Sequence, residues 1–365
     1  MLQPQRTLMT FQRAATLAVI LLAAPLPAEA ANARIGVVAP ASGEYAVLGQ
    51  QILNGAELQA GPSNADITVV EETCEEGSGT DIGEALAEAD VDVAIGFLCS
   101  ETLTGALPVL KTAGIPAITL SVRSMPLMND ALANDWPLWR MAPNETEQTT
   151  AIVDFIMSEW ADDPVALVDD GTIYYRELVN AVRNAIEQRG LKPVFVDTFR
   201  PAQEQQLSLV RRLAQAGARR VLIGGTRGDI AIIARDAADQ DSALTILGGD
   251  ALIAAETEVP LRDGVLAIGL PEYGEFPPAA DLVARAEQAG IVAEGYFVPA
   301  ASAVELGAQA VAAGNPASLS GKTFDTFMGP LTFAENHELT ENPFMLLRWQ
   351  NGQFVPMFDS ERQAD

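Results

Sequence analysis

The sequence predicts an α/β fold made of two doubly wound parallel-sheet lobes joined by a multi-strand hinge. Short apolar segments alternate with longer amphipathic segments, a pattern typical of consecutive strand–helix–strand units. The series is interrupted near residue 135 and then resumes, which indicates two lobes. A chain of 365 residues is long enough to build two hydrophobic cores.

The clearest strand–helix–strand unit lies at residues 91–124. An apolar strand precedes Ser100, a helix ends at the pair Ala113-Gly114, and a second apolar strand runs into the polar segment 121–124. The strands of such a unit lie parallel, so we expect Ser100 and the segment 121–124 at one carboxyl edge of the sheet. Ligands bind at that edge in open α/β sheets. A plain helix cap is the alternative role for a serine here, and the strand-end position favours ligand binding over it.

The first lobe begins with a predicted strand at residues 34–40. The polar segment that follows contains Ser42 and Tyr45, which we predict to face the same crevice, although Tyr45 suits an exposed lobe surface equally well. The remaining predicted elements of this part are a helix over 48–60, a strand over 67–70 and a helix over 81–89.

The second series follows a predicted connector at residues 135–144. Its polar strand ends contain Tyr174, Thr226 and Asp250. Tyr174 follows a polar strand end, which favours the cleft over surface packing, whereas Asp250 after two glycines is by itself typical of a turn. The predicted elements are helices over 146–160, 175–189, 207–216 and 229–239, and strands over 165–168, 194–197, 220–223 and 244–247. A strand over 264–269, helices over 279–290 and 296–313, and a strand-rich end at 327–358 complete the chain.

The first 30 residues have the pattern of a cleavable signal peptide. Basic residues precede the apolar run 14–24, and small residues at Ala28 and Ala30 precede a cut expected after Ala30 or Ala33. The apolar run is too short for a comfortable membrane anchor. The sequence therefore predicts a periplasmic protein whose mature chain does not insert into a membrane.

The net charge indicates which partners to exclude, and the cysteine content indicates a disulfide. The formal net charge of −27 repels phosphate backbones and anionic lipids, so neither a nucleic acid nor a membrane surface is an expected partner. Cys74 and Cys99 are the only cysteines, and an oxidising compartment favours a disulfide between them over a reactive thiol.

The residues carry no signal for an enzyme, a cofactor or a metal. His337 is the only histidine and lies in a polar, turn-like segment. No nucleophile elbow, phosphate-binding loop or metal-spaced His/Cys cluster occurs in the sequence. Adjacent acids such as Asp169-Asp170 are usual on the surface of so acidic a chain. Arg227-Gly228-Asp229 is interpreted as a chance tripeptide.

Several motifs resemble the type I periplasmic solute-binding proteins of ABC transporters, nearest the branched-chain amino acid (Leu/Ile/Val)-binding family. The resemblance covers essentially the whole mature chain, and the cysteine spacing and the Met-Gly-Pro-Leu-Thr segment are its specific parts. The motifs are Ile35-Gly36-Val37-Val38, Ser42-Gly43, Asn54-Gly55-Ala56-Glu57, Ile95-Gly96-Phe97-Leu98-Cys99-Ser100, Ala113-Gly114-Ile115-Pro116 and Met328-Gly329-Pro330-Leu331-Thr332.

The resemblance implies an amino acid gripped between the lobes. By this comparison Ser100 binds the ligand carboxylate, and the carbonyl of Ser121 helps to hold the ammonium group. Tyr174 closes over the ligand from the second lobe. Asp250 stands where the family usually has a glutamate that pairs with the ammonium group.

Four further positions depart from the family pattern, and the loss of aromatics together with the gain of an arginine and hydroxyls makes the predicted pocket more polar. Arg123 replaces a threonine that binds the carboxylate, and it either clamps an acid group of the ligand or pairs with an acidic neighbour. Thr226 and Ser302 stand where aromatics often line the pocket, and Leu48 replaces another aromatic. All but Leu48 are predicted ligand-binding residues, together with Ser42, Tyr45, Ser100, Ser121, Tyr174 and Asp250.

The sequence thus predicts a binding protein that delivers a small amino-acid-like or carboxylate-bearing solute to a membrane permease. A ligand-sensing receptor of the same fold is the alternative, and a periplasmic hydrolase is less favoured. The predicted N-terminal lobe comprises residues 31–140 and 272–329, and the C-terminal lobe comprises 143–270 and 332–365. The hinge is expected near 141–142, 271 and 330–331.

Overall fold

The computed structural model describes residue 1 and residues 32–254, 258–316 and 318–357. The predicted signal peptide therefore lies outside the described residues, apart from Met1. The strands are β1 (Ala33–Ala39), β2 (Ala65–Glu71), β3 (Val93–Gly96), β4 (Ala117–Thr119), β5 (Leu138–Arg140), β6 (Val165–Asp169), β7 (Phe195–Thr198), β8 (Arg220–Gly224), β9 (Thr245–Gly248), β10 (Leu266–Gly269), β11 (Thr323–Thr326), β12 (Gly329–Thr332), β13 (Met345–Gln350) and β14 (Gln353–Pro356). The helices are α1 (Ala46–Ala60), α2 (Gly79–Glu88), α3 (Ser100–Ala113), α4 (Met125–Ala133), α5 (Glu147–Glu159), α6 (Ile173–Gln188), α7 (Leu207–Gln215), α8 (Arg227–Asp239), α9 (Ala280–Ala289) and α10 (Phe297–Ala312).

The first lobe is built on a five-stranded parallel sheet in the order β2-β1-β3-β4-β5. Its central strands β1, β3 and β4 are apolar and buried, as strands covered by helices on both faces require, whereas the edge strand β2 is partly exposed; Ile35, Ile95 and Ile118 have no exposed surface. Helices α1 and α10 pack closely against each other, and a Cβ on Gly55 would lie 2.1 Å from the carbonyl oxygen of Phe297. This close approach explains the glycine in the Asn-Gly-Ala-Glu motif.

The second lobe is built on a seven-stranded sheet in the order β14-β13-β10-β9-β8-β6-β7. Strands β6 to β10 pair in parallel, and β13 and β14 extend the sheet in the antiparallel direction. Val168, Leu222 and Leu247 are fully buried in its core. The hairpin β11–β12 forms a separate two-stranded sheet.

The chain passes between the two sheets after β5, after β10 and again after β12, within the described ranges. Helices α9 and α10, which follow β10, return to the first lobe, because α10 packs on β1 and α1. The predicted fold class of two doubly wound lobes is confirmed. The repeated crossings bring the carboxyl edges of both sheets to the same cleft.

The sequence-based connector at residues 135–144 is wrong in part. Residues 138–140 form β5, the edge strand of the first sheet. Residues 125–133, which precede the connector and for which the sequence predicts no element, form α4. A three-residue strand directly after Pro137 is too short to show an apolar period. Ser124, placed in the polar break after β4, is the N-cap of α4, and its hydroxyl accepts a hydrogen bond from the Leu127 N–H.

Candidate functional site

A cavity of about 570 Å³ lies where the two lobes meet. One wall comes from the end of β4 and from the starts of α1 and α10 in the first lobe. The opposite wall is the turn after β9, and the crossing segments after β5 and β10 close the floor. Most lining side chains are apolar or aromatic: Leu48, Leu120, Met141, Ile253, Leu270, Tyr273, Tyr296, Val298 and Met328.

Arg123 and Asp250 face each other across this cavity from different lobes. Nη1 of Arg123 lies 3.5 Å from Oδ2 of Asp250, and the two side chains are 39% and 27% exposed. The Arg123 guanidinium also lies 5.8 Å from the ring centroid of Phe344, a cation–π distance. A solute can therefore reach one cation and one carboxylate on opposite walls of the same cavity.

The loop that carries Arg123 is held by buried polar contacts. The hydroxyl of Thr119, at the end of β4, donates to the Phe97 carbonyl and accepts hydrogen bonds from the N–H groups of Ser121 and Val122. Arg140, which has no exposed surface, donates from Nη1 to the Ser124 carbonyl at 3.0 Å. The backbone on both sides of Arg123 is thus fixed to the sheet.

The turn that carries Asp250 is held by a different buried arginine. Asp250–Ile253 form a 3-10 turn directly after β9. Arg227 is 6% exposed, and its Nη1 donates to the carbonyls of Leu252 at 2.8 Å and Ala254 at 3.0 Å. Its guanidinium stacks over the Trp349 ring, 4.6 Å from the centroid.

The other predicted residues of the first lobe lie on the carboxyl edge of its sheet without lining the cavity. Ser100 is the first residue of α3, whose N-cap is Cys99, and it is half-buried. The hydroxyl of Ser121 accepts a hydrogen bond from the phenol of Tyr296 at 2.9 Å, so it contacts a residue that does line the cavity. Because β3 and β4 pair in parallel, the predicted common edge for Ser100 and Ser121 is confirmed.

A family model described as periplasmic binding protein matches residues 32–353. The chain belongs to this family. A Leu/Ile/Val-binding protein homolog of Brucella melitensis is 25% identical over 346 residues, covering 89% of this chain and 93% of that relative.

Solved structures agree on the fold. An ABC transporter substrate-binding protein from Desulfitobacterium hafniense in complex with Leu has a TM-score of 0.63 at 18% identity, covering 89% of this chain and all of the other. A solute-binding protein from Rhodopseudomonas palustris in complex with p-hydroxybenzoic acid has a TM-score of 0.64 at 13% identity, covering 89% and 95%. The predicted type I fold and leucine-binding-protein likeness are confirmed, and these relatives are named as binding proteins.

Three other residues that are predicted to contact the ligand are exposed: Ser42, Tyr45 and Tyr174. Ser42 is exposed and donates to Glu71, and Tyr45 is 41% exposed. Tyr174 is 54% exposed, and its phenol donates to Oε1 of Gln148 at 3.4 Å. Burial, with a contribution from the nearby Asp250 carboxylate, raises the pKa of Tyr174. Tyr174 thus lies within electrostatic reach of Asp250 while lining no wall of the cavity.

Thr226 and Ser302 lie away from the cavity wall. Thr226 is the N-cap of α8: its hydroxyl accepts from the Asp229 N–H and donates to the Asp229 carboxylate. Ser302 is fully buried on α10, and its hydroxyl has no hydrogen-bond partner among the described residues. Leu48, the third position at which the family has an aromatic, does line the cavity.

A buried carboxylate supports the segment before α3. Glu72 is 1% exposed and accepts hydrogen bonds from the N–H groups of Leu98 and Cys99 and from the hydroxyl of Thr102. Burial raises the pKa of the Glu72 carboxyl, although these donors favour its ionised form. Cys74 and Cys99 form the predicted disulfide, so neither sulfur near Glu72 is a thiolate that could bind a metal ion.

Sequence reasoning missed the aromatic and acidic part of the cavity. Tyr273, Tyr296 and Glu272 line it. Burial and the nearby carboxylates of Glu275 and Glu294 raise the pKa of the Glu272 carboxyl. Pro271 is the signal that the sequence offers for this part, because it lies two residues after the end of β10, in the segment that crosses between the lobes. No helix among the described residues is long and apolar enough to span a bilayer.

Proposed function

We propose that this chain is the periplasmic substrate-binding component of an ABC transporter, which binds a small amino-acid-like or carboxylate-bearing solute between its lobes. The observation that carries the proposal is the Arg123–Asp250 pair, contributed by opposite lobes to one cavity. A solute carboxylate would take the Arg123 guanidinium, which can bind it through two parallel hydrogen bonds. A solute ammonium group would take Asp250.

Related complexes are consistent with a carboxylate ligand. The leucine and p-hydroxybenzoic acid bound to the two structural neighbours each carry one carboxylate, but only leucine carries an ammonium group. Both have an apolar body, and the walls of the present cavity are mainly apolar. The experiment must therefore distinguish solutes that carry an ammonium group in addition to the carboxylate from solutes that carry the carboxylate alone.

Closure of the lobes would enclose the solute and present it to the membrane permease. We assign residues 31–140 and 272–329 to one moving lobe and 143–270 and 332–365 to the other, with the hinge at 141–142, 271 and 330–331. No bond is made or broken; binding energy favours the closed state. Transport of the bound solute into proteoliposomes that contain the permease, with and without this protein, would test delivery.

Export to the periplasm is part of the proposal. Of the two expected cleavage points, the fold favours the cut after Ala30. Ala33 is the first residue of β1, and its N–H donates to the Asn64 carbonyl at 3.0 Å, so a cut after Ala33 would remove a pairing residue of the sheet. Mass spectrometry of the protein purified from the periplasm would identify the mature N-terminus.

Thermal-shift and calorimetric titration of the mature chain would test the binding site. The probes are leucine, phenylalanine, 3-phenylpropionate, phenethylamine and p-hydroxybenzoate, which separate the carboxylate from the ammonium requirement. A bound solute raises the melting temperature by mass action. We expect Arg123→Ala to abolish the shift for every carboxylate probe and Asp250→Ala to abolish it for leucine and phenylalanine, which carry the ammonium group. Arg183→Ala, which breaks the exposed pair with Glu187, should keep the shift.

The pattern of responses decides the assignment. Loss of response to every carboxylate in Arg123→Ala, with phenethylamine inactive throughout, supports the assignment of the carboxylate to Arg123. A full response in both cleft variants would show that the solute binds elsewhere.

A further inference from the structure

The tripeptide Arg227-Gly228-Asp229 has no binding role in the site described above, yet Arg227 is buried at the start of α8. Its side chain leaves its own helix and donates two hydrogen bonds to main-chain carbonyls of the segment that follows β9. These carbonyls belong to Leu252 and Ala254, two and four residues after Asp250. A buried cation placed on carbonyl oxygens fixes backbone position.

We propose that Arg227 is a positioning residue for Asp250, which holds the 250–254 turn so that the Asp250 carboxylate points into the cleft towards Arg123. The expected effect of Arg227 on solute binding rests on the proposed function. The contact between Arg227 and the turn does not depend on that function.

Backbone hydrogen bonds and apolar packing hold the rest of the turn. Its backbone hydrogen bonds include Leu252 N–H to the Gly249 carbonyl at 3.1 Å and Ala254 N–H to the Ala251 carbonyl at 3.3 Å. A 3-10 turn of this length has poor hydrogen-bond geometry and is easily opened. The Leu252 side chain is buried in the core of the second lobe, Ile253 packs against the same core, and together they anchor one point. The two bonds from Arg227 fix the direction in which the chain leaves that point.

Trp349 completes the arrangement. Its ring lies under the Arg227 guanidinium and is itself buried on β13. The planar guanidinium can stack on an indole and donate in its own plane at the same time, which a lysine ammonium cannot do. The inference therefore predicts that Arg227→Lys keeps the charge but loses part of the positioning.

Hydrogen exchange of the solute-free protein would test the contact. In Arg227→Met we expect amide exchange in residues 250–254 to accelerate by about tenfold or more, while β8 stays protected. Arg227→Lys should lie between this variant and the wild type, and it keeps the test available if Arg227→Met does not fold. The matched control is Arg235→Met on the same helix, because Arg235 also donates to a carbonyl, that of Glu204 at 2.7 Å.

Solute affinity supplies the readout that a purely structural role would leave unchanged. The solute for this measurement is the one that gives the largest shift in the titration. We expect Arg227→Met to weaken its binding by about tenfold. Arg235→Met should leave the affinity unchanged, even where the two variants lose a similar amount of melting temperature. Unchanged exchange at 250–254 in Arg227→Met would overturn the proposal. Faster exchange with unchanged affinity would overturn the link to Asp250.

Failure of the proposed function has a different signature. If no solute shifts the wild-type protein, the function is wrong, but exchange at 250–254 still decides whether Arg227 holds the turn.

Discussion

The Glu72 carboxylate accepts a hydrogen bond from the backbone N–H of Cys99 at 3.1 Å, one residue before the start of α3. With the Leu98 N–H and the Thr102 hydroxyl, it joins the end of β2 to the segment that leads into Ser100. The carboxyl edge of the first sheet is therefore fixed by a buried acid as well as by the adjacent disulfide.

Glu72→Gln should lower the free energy of unfolding by about 1–3 kcal/mol, because its amide NH2 group would face a backbone donor. Urea denaturation measures the change. Glu71→Gln is the matched control, since Glu71 is exposed and its carboxylate accepts a hydrogen bond from Ser42 alone among the described residues; we expect a change within about 0.5 kcal/mol. Equal losses in both variants would contradict a role for the buried hydrogen bonds.

Removal of the disulfide in a Cys74→Ser, Cys99→Ser double variant should cost about 3.5 kcal/mol on the chain-entropy estimate for this loop. The two cysteines are separated by 25 positions in the sequence. Urea denaturation with and without dithiothreitol measures the change. The wild type should lose stability in the reductant, and the double variant should not respond, which separates the disulfide from other effects of the reductant.

Arg140 and Glu338 form a buried ion pair that joins β5 to the segment after β12. Arg140 has no exposed surface, and burial lowers the pKa of its guanidinium to about 10, so it stays charged at neutral pH. Glu338→Ala should therefore cost about 3–5 kcal/mol, because it leaves a buried cation without its carboxylate. Thermal and urea denaturation measure the loss.

Two comparisons test this explanation of the Glu338 effect. Glu187→Ala removes the partner of Arg183 from an exposed helical pair and should change stability by no more than about 0.5 kcal/mol. Arg140→Met combined with Glu338→Leu should be less destabilised than Glu338→Ala alone. A double variant that is more destabilised than Glu338→Ala would contradict the explanation by an unpaired buried cation.

The residues at the carboxyl edges of the sheets could be predicted from the sequence, whereas the side-chain contacts between distant elements could not. Ser100 and Ser121 were placed on one edge because a polar break after an apolar strand is visible in the sequence. Arg227 was missed because its partners lie 25 residues away, beyond another strand. Thr226 and Ser302 had the right residue type for a pocket, but one hydroxyl caps a helix and the other is buried inside α10.

Ser302→Ala should raise the free energy of unfolding by about 1 kcal/mol, because it removes a buried hydroxyl without a described partner and alanine favours a helix. Solute affinity should not change, in contrast to the sequence-based expectation of a ligand contact. Urea denaturation and calorimetric titration measure the two quantities. Ser158→Ala is the control, since the Ser158 hydroxyl donates to the Phe155 carbonyl. A loss of affinity in Ser302→Ala would restore the ligand role.

His337 makes stability depend on pH near the first crossing between the lobes. Its ring stacks on Trp139 at 4.4 Å between centroids, and Nδ1 lies 2.9 Å from the Leu138 carbonyl. Burial lowers the pKa of His337 below its ordinary value of 6.5. Below pH 6.5 the unfolded chain therefore binds the proton more readily than the folded one, and this contribution to stability decreases as the pH falls.

We expect the stability advantage of wild type over His337→Asn to shrink between pH 7 and pH 5 and to stay constant from pH 7 to pH 8. Asparagine suits the positive φ of +64° at this position, so the backbone is preserved. Urea denaturation across this range measures the difference in free energy of unfolding between the two proteins. The titration of the carboxylates that both proteins share cancels in this difference. A difference that does not vary with pH would show that His337 has the same proton affinity in the folded and unfolded chain.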